Sequence, residues 1–247
     1  LICVKGDAPF LHKYLDKILG QDYPNFEVIV LNDGSIDKTL ELLIEHYDLK
    51  KLSKLPKSHM SQTPVLAMYQ SHLDPRLKVI DKVHSGKWDT LNFLFGYSDA
   101  EYICGLDADS IVTPDALRKM MVKFIDSPNL IALGGAIIPS NEVIIQDGKI
   151  RRRKTKQPMF VGVQIIEYLR SFTSWRTGWS YLDGLLIIGG ALTIFNKQAV
   201  IKVGGYRKDS ICEDFELILT LHDYYINHGL PYHIWTIPDV ICWTRVP

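Results

Sequence analysis

No run of about 18 uninterrupted apolar residues occurs in the 247-residue chain, so no segment reads as a membrane-spanning helix. No signal-peptide pattern stands at its start. Cysteine is scarce: Cys3, Cys104, Cys212 and Cys242 are scattered and never spaced as Cys-x-x-Cys. That argues against a zinc cluster, and against a disulfide scaffold at this size; the thiols read as reduced, in a cytosolic setting. Net charge is lacking too. Lys plus Arg and Asp plus Glu both number 28, so the basic excess of a nucleic-acid binder is missing and no nucleic-acid partner is expected. Neither a GxxxxGK[ST] phosphate loop nor a G-x-G-x-x-G fingerprint is present, nor is any internal repeat or low-complexity tract.

What the chain does have is alternation. A helical face (Leu11, Tyr14, Leu15, Ile18, Leu19) precedes a buried strand, FEVIVL (26–31), which NDGS breaks. A helix marked by Leu40, Leu43, Ile44 and Tyr47 follows, and then a polar, irregular stretch, 49–75, read as an insertion loop. LKVIDK (77–82) is a strand, and the next helix bears Leu91, Leu94 and Phe95. YICGL (102–106) is a strand that ends at two acids. Thr113 and Pro114 read as N-cap and first residue of a further helix, and LIALGGAII (130–138) as another strand. Residues 139–158 carry a basic run, KIRRRKTK, read as a solvated hairpin or a contact for anionic head groups. Residues 165–182 read as a helix with aromatic and basic residues interleaved, suited to packing, sugar stacking or a membrane interface. LLIIGGALTIF (185–195) reads as a strand, and 213–229 as a helix opening on two acids. Such alternation predicts an α/β fold with a mostly parallel sheet covered on both faces, its sites at the carboxyl ends of strands.

Four short stretches carry chemistry. Asp107-Ala108-Asp109 ends a strand, where both carboxylates can swing toward one point; oxygen donors of that kind suit Mg²⁺ or Mn²⁺ shared with a diphosphate. The plainer reading is a helix cap with a solvated turn. Asn32-Asp33-Gly34-Ser35 is either an ordinary turn or a place where Asp33 accepts from a base N–H or a ribose hydroxyl. In HSGKWDTLN (84–92), Lys87 stands at a helix start, where phosphate is attracted. Glu213-Asp214 opens a helix and is either a pair of dipole partners or the place of a general base.

In that order, NDGS, GK…LN, DAD and ED resemble the family 2 glycosyltransferases of the GT-A fold, and among them the membrane-embedded, processive type that includes poly-N-acetylglucosamine, chitin-oligosaccharide, hyaluronan and cellulose synthases. The likeness runs through QDYPNFEVIVLNDGSIDKT (21–39), SGKWDTLN (85–92), YICGLDADSIVTPDAL (102–117), VQIIEYLRSF (163–172), LLIIGGALTIF (185–195), VGGYRKDSICEDFEL (203–217) and PDVICWTRVP (238–247). It implies one GT-A domain over 1–247, with a nucleotide-sugar half (1–110) and an acceptor and catalytic-base half (111–247). It further implies that Asp33 contacts uracil or ribose, that Lys87 contacts the diphosphate, that Asp109 touches the metal and that Asp107 meets the metal and the nucleotide sugar. Asp214, with Glu213 beside it, becomes the base that deprotonates the acceptor, and Gly189 and Gly190 bring backbone close to that acceptor. The implied donor is a UDP-sugar, with GlcNAc favoured over Glc, and the implied acceptor is a glycan or lipid-linked hydroxyl.

Three departures qualify the likeness. The first motif, a Pro-x-Tyr-Asn-Glu stretch in the family, reads VKGDAPF here, with Asp7 the acid nearest that place. Asn-Asp-Gly-Ser stands for Asp-Asp-Gly-Ser. The Gln-x-x-Arg-Trp segment of processive members is not found. The chain thus reads as a domain cut from a longer protein, attached to the cytosolic face of a membrane through segments outside it. Transfer of a single sugar to a lipid or small acceptor, and a catalytically silent nucleotide-binding domain, are the competing readings.

Overall fold

The computed structural model describes residues 2–4, 11–140, 143–146, 149–153 and 159–244, with the side chains of residues 3, 13, 143–146 and 149–153 excepted. In chain order the elements are β1 (Ile2–Val4), α1 (Leu11–Leu19), β2 (Val28–Asp33), α2 (Thr39–His46), β3 (Leu49–Lys51), β4 (Val65–Ser71), β5 (Leu77–Lys82), α3 (Lys87–Tyr97), β6 (Tyr102–Asp107), β7 (Ile111–Val112) and α4 (Ala116–Asp126). They continue with β8 (Leu130–Pro139), β9 (Val143–Gln146), β10 (Lys149–Arg153), α5 (Met159–Leu169), a π-helical turn (Arg170–Trp175), α6 (Arg176–Tyr181), β11 (Leu192–Asn196), α7 (Lys197–Lys202), α8 (Glu213–Asn227) and β12 (His233–Thr244).

Ten strands form one sheet in the order β3-β4-β5-β2-β1-β6-β11-β8-β12-β7, and β9 and β10 make a separate hairpin. The expected α/β class is what forms, but the sheet is more mixed than the alternation suggests. The run β5-β2-β1-β6 is parallel, as is the β8–β12 pair, whereas β4, β11 and β7 join antiparallel. Every residue of β2 and of β8 is buried, as a strand covered on both faces requires. On one face, Leu11, Leu15 and Ile18 of α1 and Met120 and Phe124 of α4 join the core against Val28, Val30 and Leu133. Another cluster packs Leu91 and Phe95 of α3 with Ile218 and Leu221 of α8.

Several sequence expectations need correction. The stretch 49–75 is not simply a loop: β3 and β4 pair antiparallel at the edge of the main sheet, leaving 52–64 irregular. β3, at the edge, is only three residues long, and β4 buries its residues in adjacent pairs rather than alternately, so the pattern hid them. The helix expected at Pro114 starts at Ala116, and Asp115 precedes it without a side-chain cap bond. Only 192–196 of the expected 185–195 strand is extended. Leu185 and Ile188 are apolar because a loop is packed into the core there. The helix at 165–182 begins earlier, at Met159, and is interrupted by the π turn.

Two cavities differ in character. One, of about 350 Å³, is lined largely by apolar side chains at the starting ends of β2 and β6, including Val28, Ile29, Tyr102 and Ile103, away from the strand-end acids. The other, of about 570 Å³, opens where β6, α8 and the π turn meet.

Candidate active site

The strand ends deliver the acidic pair as expected. β6 finishes at Asp107, and a turn closed by Ser110 N–H donating to the Asp107 carbonyl (3.1 Å) leads to β7. Asp107 is half-buried and Asp109 exposed, with the Thr244 hydroxyl 3.4 Å from Asp109 Oδ1. Lys87, the first residue of α3, points into the same place. Its Nζ lies 3.0 Å from Glu213 Oε1 and 3.7 Å from Asp107 Oδ1. Residues 87, 107 and 213 are thus brought together from three separate elements. Burial alone would lower the Lys87 pKa, but Asp107, Asp214 and Glu213 raise it, so the ammonium stays charged. Burial pushes Glu213 up, yet backbone and Lys87 hydrogen bonds bring it below its ordinary value.

Asp214 behaves differently from its neighbour. Burial raises its pKa to about 6, with Lys87 opposing and Glu213 and Asp107 adding to the rise. A carboxylate held near the working pH is suited to proton abstraction. It lines the 570 Å³ cavity together with Asp107, Gly189, Gly190, Phe172 and Arg176. Gly190 runs directly against the Asp214 carboxylate, so any side chain at 190 would occupy the space of that carboxylate. Gly189 is packed in the same way against Phe172 and Ile137. Gly190→Ala should therefore displace Asp214 and lower kcat about 10²-fold with the fold intact. Steady-state turnover beside circular dichroism checks this, and an unchanged kcat would contradict the close approach.

Asp33 lies at the end of β2 as expected, but its carboxylate faces inward and is only 3% exposed. Lys82 Nζ (2.9 Å) and Ser85 N–H (3.0 Å) meet Oδ1, while Gly86 N–H (3.0 Å) and His84 Nδ1 (2.7 Å) meet Oδ2. Burial opposes ionisation, but the Lys82, Ser85 and His84 hydrogen bonds bring the pKa down to about 2. In this structure Asp33 anchors the 84–86 loop rather than presenting a free carboxylate to a base. Gly86 adopts φ +94°, a conformation that glycine tolerates, and that loop turns directly into Lys87. Asp7 lies outside the described residues.

Sequence reasoning missed several participants. Lys82, with a fully buried side chain, also contacts Asp89 Oδ2 (3.2 Å), Thr90 Oγ1 (3.3 Å) and Ser85 Oγ. Asn92 clamps the segment leading to α8: its Nδ2 donates to Tyr206 O and its Oδ1 accepts from Tyr206 N–H, both at 2.8 Å. The GK…LN motif is thereby tied to the ED motif. Arg176 stacks on Phe172 (3.9 Å) and donates from Nε to Ser171 Oγ (3.2 Å). The π turn that carries Ser171 and Phe172 is the irregularity that turns them toward the cavity. The interleaved aromatic and basic residues at 165–182 were the available signal for these.

Among the described residues, no group of three or more His, Cys, Asp or Glu side chains is arranged to hold a metal. Asp107 and Asp109 fit a hard cation that takes few protein ligands and completes its shell with phosphate oxygens. Among the described residues, Cys104, Cys212 and Cys242 form no disulfide.

The strand ends of the sheet thus gather a lysine, a carboxylate pair and a carboxylate of raised pKa beside a cavity. The glycosyl transferase family 2 profile matches residues 1–60 and 61–181, and the chain belongs to that family. Poly-beta-1,6-N-acetyl-D-glucosamine synthase of Staphylococcus epidermidis is 27% identical over 250 residues, covering all of this chain and 49% of the relative. The synthase of the same name from Staphylococcus aureus (strain COL) is 26% identical over 247 residues, again covering all of this chain and 49% of the relative. The chain therefore spans about half the length of these relatives. Among solved structures, the mannosyltransferase PcManGT from Pyrobaculum calidifontis, in complex with GDP-Man and Mn²⁺, aligns with a TM-score of 0.66 at 20% identity, over 100% of this chain and 56% of that one. S. aureus TarS 1–349, in complex with UDP-GlcNAc, aligns at 0.58 and 16%, over 100% and 57%. These two likenesses concern the fold.

Proposed function

We propose that this chain is the catalytic domain of an inverting, metal-dependent transferase that moves GlcNAc from UDP-GlcNAc to a hydroxyl of a growing polysaccharide. The observation that carries this reading is that Asp107 and Asp214 line one cavity, with Asp214 shifted to about 6, while Lys87 reaches Asp107 and Glu213 beside it. The synthases that align over the whole chain support the sugar and the polymer. The acceptor hydroxyl occupies the cavity beside Gly189 and Gly190, and Asp214 takes its proton as the oxygen attacks the anomeric carbon. The bond from that carbon to the diphosphate oxygen breaks on the opposite side, so configuration inverts and UDP leaves. Lys87 lies where it can meet the diphosphate, held in place by Glu213 and Asp107. Asp109 and Asp107 are the residues that would hold Mg²⁺ or Mn²⁺, which supplies charge neutralisation for the departing diphosphate. UDP is then a good leaving group, so no second carboxyl group is needed as general acid. Asp33 acts through the 84–86 loop that orients Lys87, and the nucleotide half and acceptor half meet at the β6 end. The domain works at the cytosolic face of a membrane.

A thermal-shift panel of UDP-GlcNAc, UDP-Glc and GDP-Man, with and without Mn²⁺, tests the donor. UDP-GlcNAc with Mn²⁺ at 100 times its dissociation constant should stabilise the chain by about 2.7 kcal/mol. A larger shift with GDP-Man, or none with any UDP-sugar, would overturn the assignment.

A further inference from the structure

One cation on the wall of the 570 Å³ cavity stands without an anion. Arg176 lines that cavity, and among the described residues no carboxylate forms an ion pair with it. Two of the cavity's acids are taken up elsewhere: Glu167 pairs with Arg170 (2.8 Å), and Asp107 lies near Lys87 (3.7 Å). The guanidinium is nonetheless held in place. Its Nε donates to Ser171 Oγ (3.2 Å), and its central carbon lies 3.9 Å over the Phe172 ring. Nη1 is buried, and no protein acceptor meets it. Burial lowers the Arg176 pKa, with Tyr168 opposing, but a guanidinium stays protonated at any working pH. A buried donor left without an acceptor is costly, and a charged one more so.

The chemistry of the group narrows what would relieve it. A guanidinium has five N–H donors and no acceptor, so it takes oxygen and repels an ammonium. A sugar hydroxyl both gives and accepts, whereas an amide carbonyl oxygen only accepts. The rest of the wall suits a sugar ring. Tyr168 and Phe172 supply aromatic surface, their ring centroids 5.7 Å apart, and Gly189, Gly190 and Asp214 line the same cavity.

We propose that Arg176 is a specificity-determining residue of the acceptor site, donating from its guanidinium to the acetamido carbonyl oxygen of an N-acetylated acceptor sugar. A sugar without that group leaves the guanidinium unrelieved, and a free amine, charged at neutral pH, sets two cations together. The proposal rests on the reading of this cavity as the acceptor site, and it adds which acceptors are taken.

Tryptophan fluorescence titration of the chain with short β-1,6-linked oligosaccharides of GlcNAc, of glucosamine and of glucose, and with one containing glucuronic acid, tests it. Wild type should bind the GlcNAc oligosaccharide about tenfold or more tightly than the other three. Arg176→Met should bind GlcNAc and glucose oligosaccharides alike. Arg176→Lys should keep part of the preference, as a point charge without the planar fork. Ser171→Ala removes the Nε partner in the π turn but keeps the guanidinium, so it should retain the preference; its loss there as well would make Arg176 a prop for the turn and overturn the proposal. Should Arg176→Met fold poorly by circular dichroism, the wild-type panel and Arg176→Lys still decide. No binding of any oligosaccharide, equal wild-type binding of the GlcNAc and glucose forms, or an unchanged preference in Arg176→Met overturns the proposal. So does tightest binding of the glucuronic acid form, which would give the site to a carboxylate. UDP-GlcNAc enters none of these titrations, so a failed donor assignment in the thermal-shift panel is told apart from a failed acceptor preference.

Discussion

Asp214→Asn is expected to lower the rate of sugar transfer on the order of 10³-fold while leaving UDP-sugar binding nearly unchanged. The reason is geometric before it is electrostatic. Asp214 lines the cavity, stands against a glycine that leaves room for nothing larger, and has Lys87 and Glu213 beside it. Asparagine keeps the shape and loses the ability to take a proton. The wild-type kcat/KM should rise with pH through about 6, where Asp214 ionises, and that limb should vanish from the variant's residual activity. Stability should move the other way. Because the folded-state pKa is raised, the folded form holds an extra proton between about 4 and 6, so this group's contribution falls as pH rises through that window. The variant escapes that penalty and should be more stable than wild type at neutral pH by about 2 kcal/mol, the remaining solvent contact reducing the full shift. A variant that loses activity and stability together would mean that Asp214 is a structural residue.

Lys82→Met is expected to cost about 3–5 kcal/mol, the largest stability loss of any single change considered. The side chain is fully buried and reaches both Asp33 and Asp89, and its removal leaves two buried carboxylates without its ammonium. Burial raises the Asp89 pKa, but Ser85, Ser61 and Thr63 hydrogen bonds and Lys82 hold it low, so it too stays ionised. Urea unfolding followed by tryptophan fluorescence measures the loss. The triple variant Lys82→Met/Asp33→Asn/Asp89→Asn should recover much of it, because no unpaired charge remains. The pH dependence has a definite sign. Asp33 has a depressed pKa, so its stabilisation is present above about 4 and is lost as pH falls through 2. The deficit of the single variant is therefore full at neutral pH and narrows in acid. A loss under about 1 kcal/mol would show that the network is not what holds the 84–86 loop.

These two residues also mark what the sequence made legible. Asp214 could be read because its signal is local: an acid pair opening a helix, in order with three other motifs. Asp107 and Asp109 could be read for the same reason, as acids that end an apolar strand. Lys82 could not. It closes an ordinary strand pattern, and its importance comes from Asp33, 49 residues away, on the parallel neighbour β2. That same pairing buries the Asp33 carboxylate against Lys82, which its place in a turn motif does not reveal. Asn92 was quoted within a motif but given no role, because its partner, Tyr206, lies 114 residues on. The β3–β4 pair is hidden because β3 is only three residues long and β4 buries its residues in adjacent pairs, and the 185–191 loop resembles a strand because core burial makes it apolar.

The most direct test of the account is the initial rate of UDP release from UDP-GlcNAc at pH 7.5, with Mn²⁺ and with EDTA, for wild type and Asp214→Asn side by side. The account predicts release by wild type with Mn²⁺ alone, and near-background rates in the other three conditions. Equal rates for the two proteins, or release that ignores the metal, would contradict it.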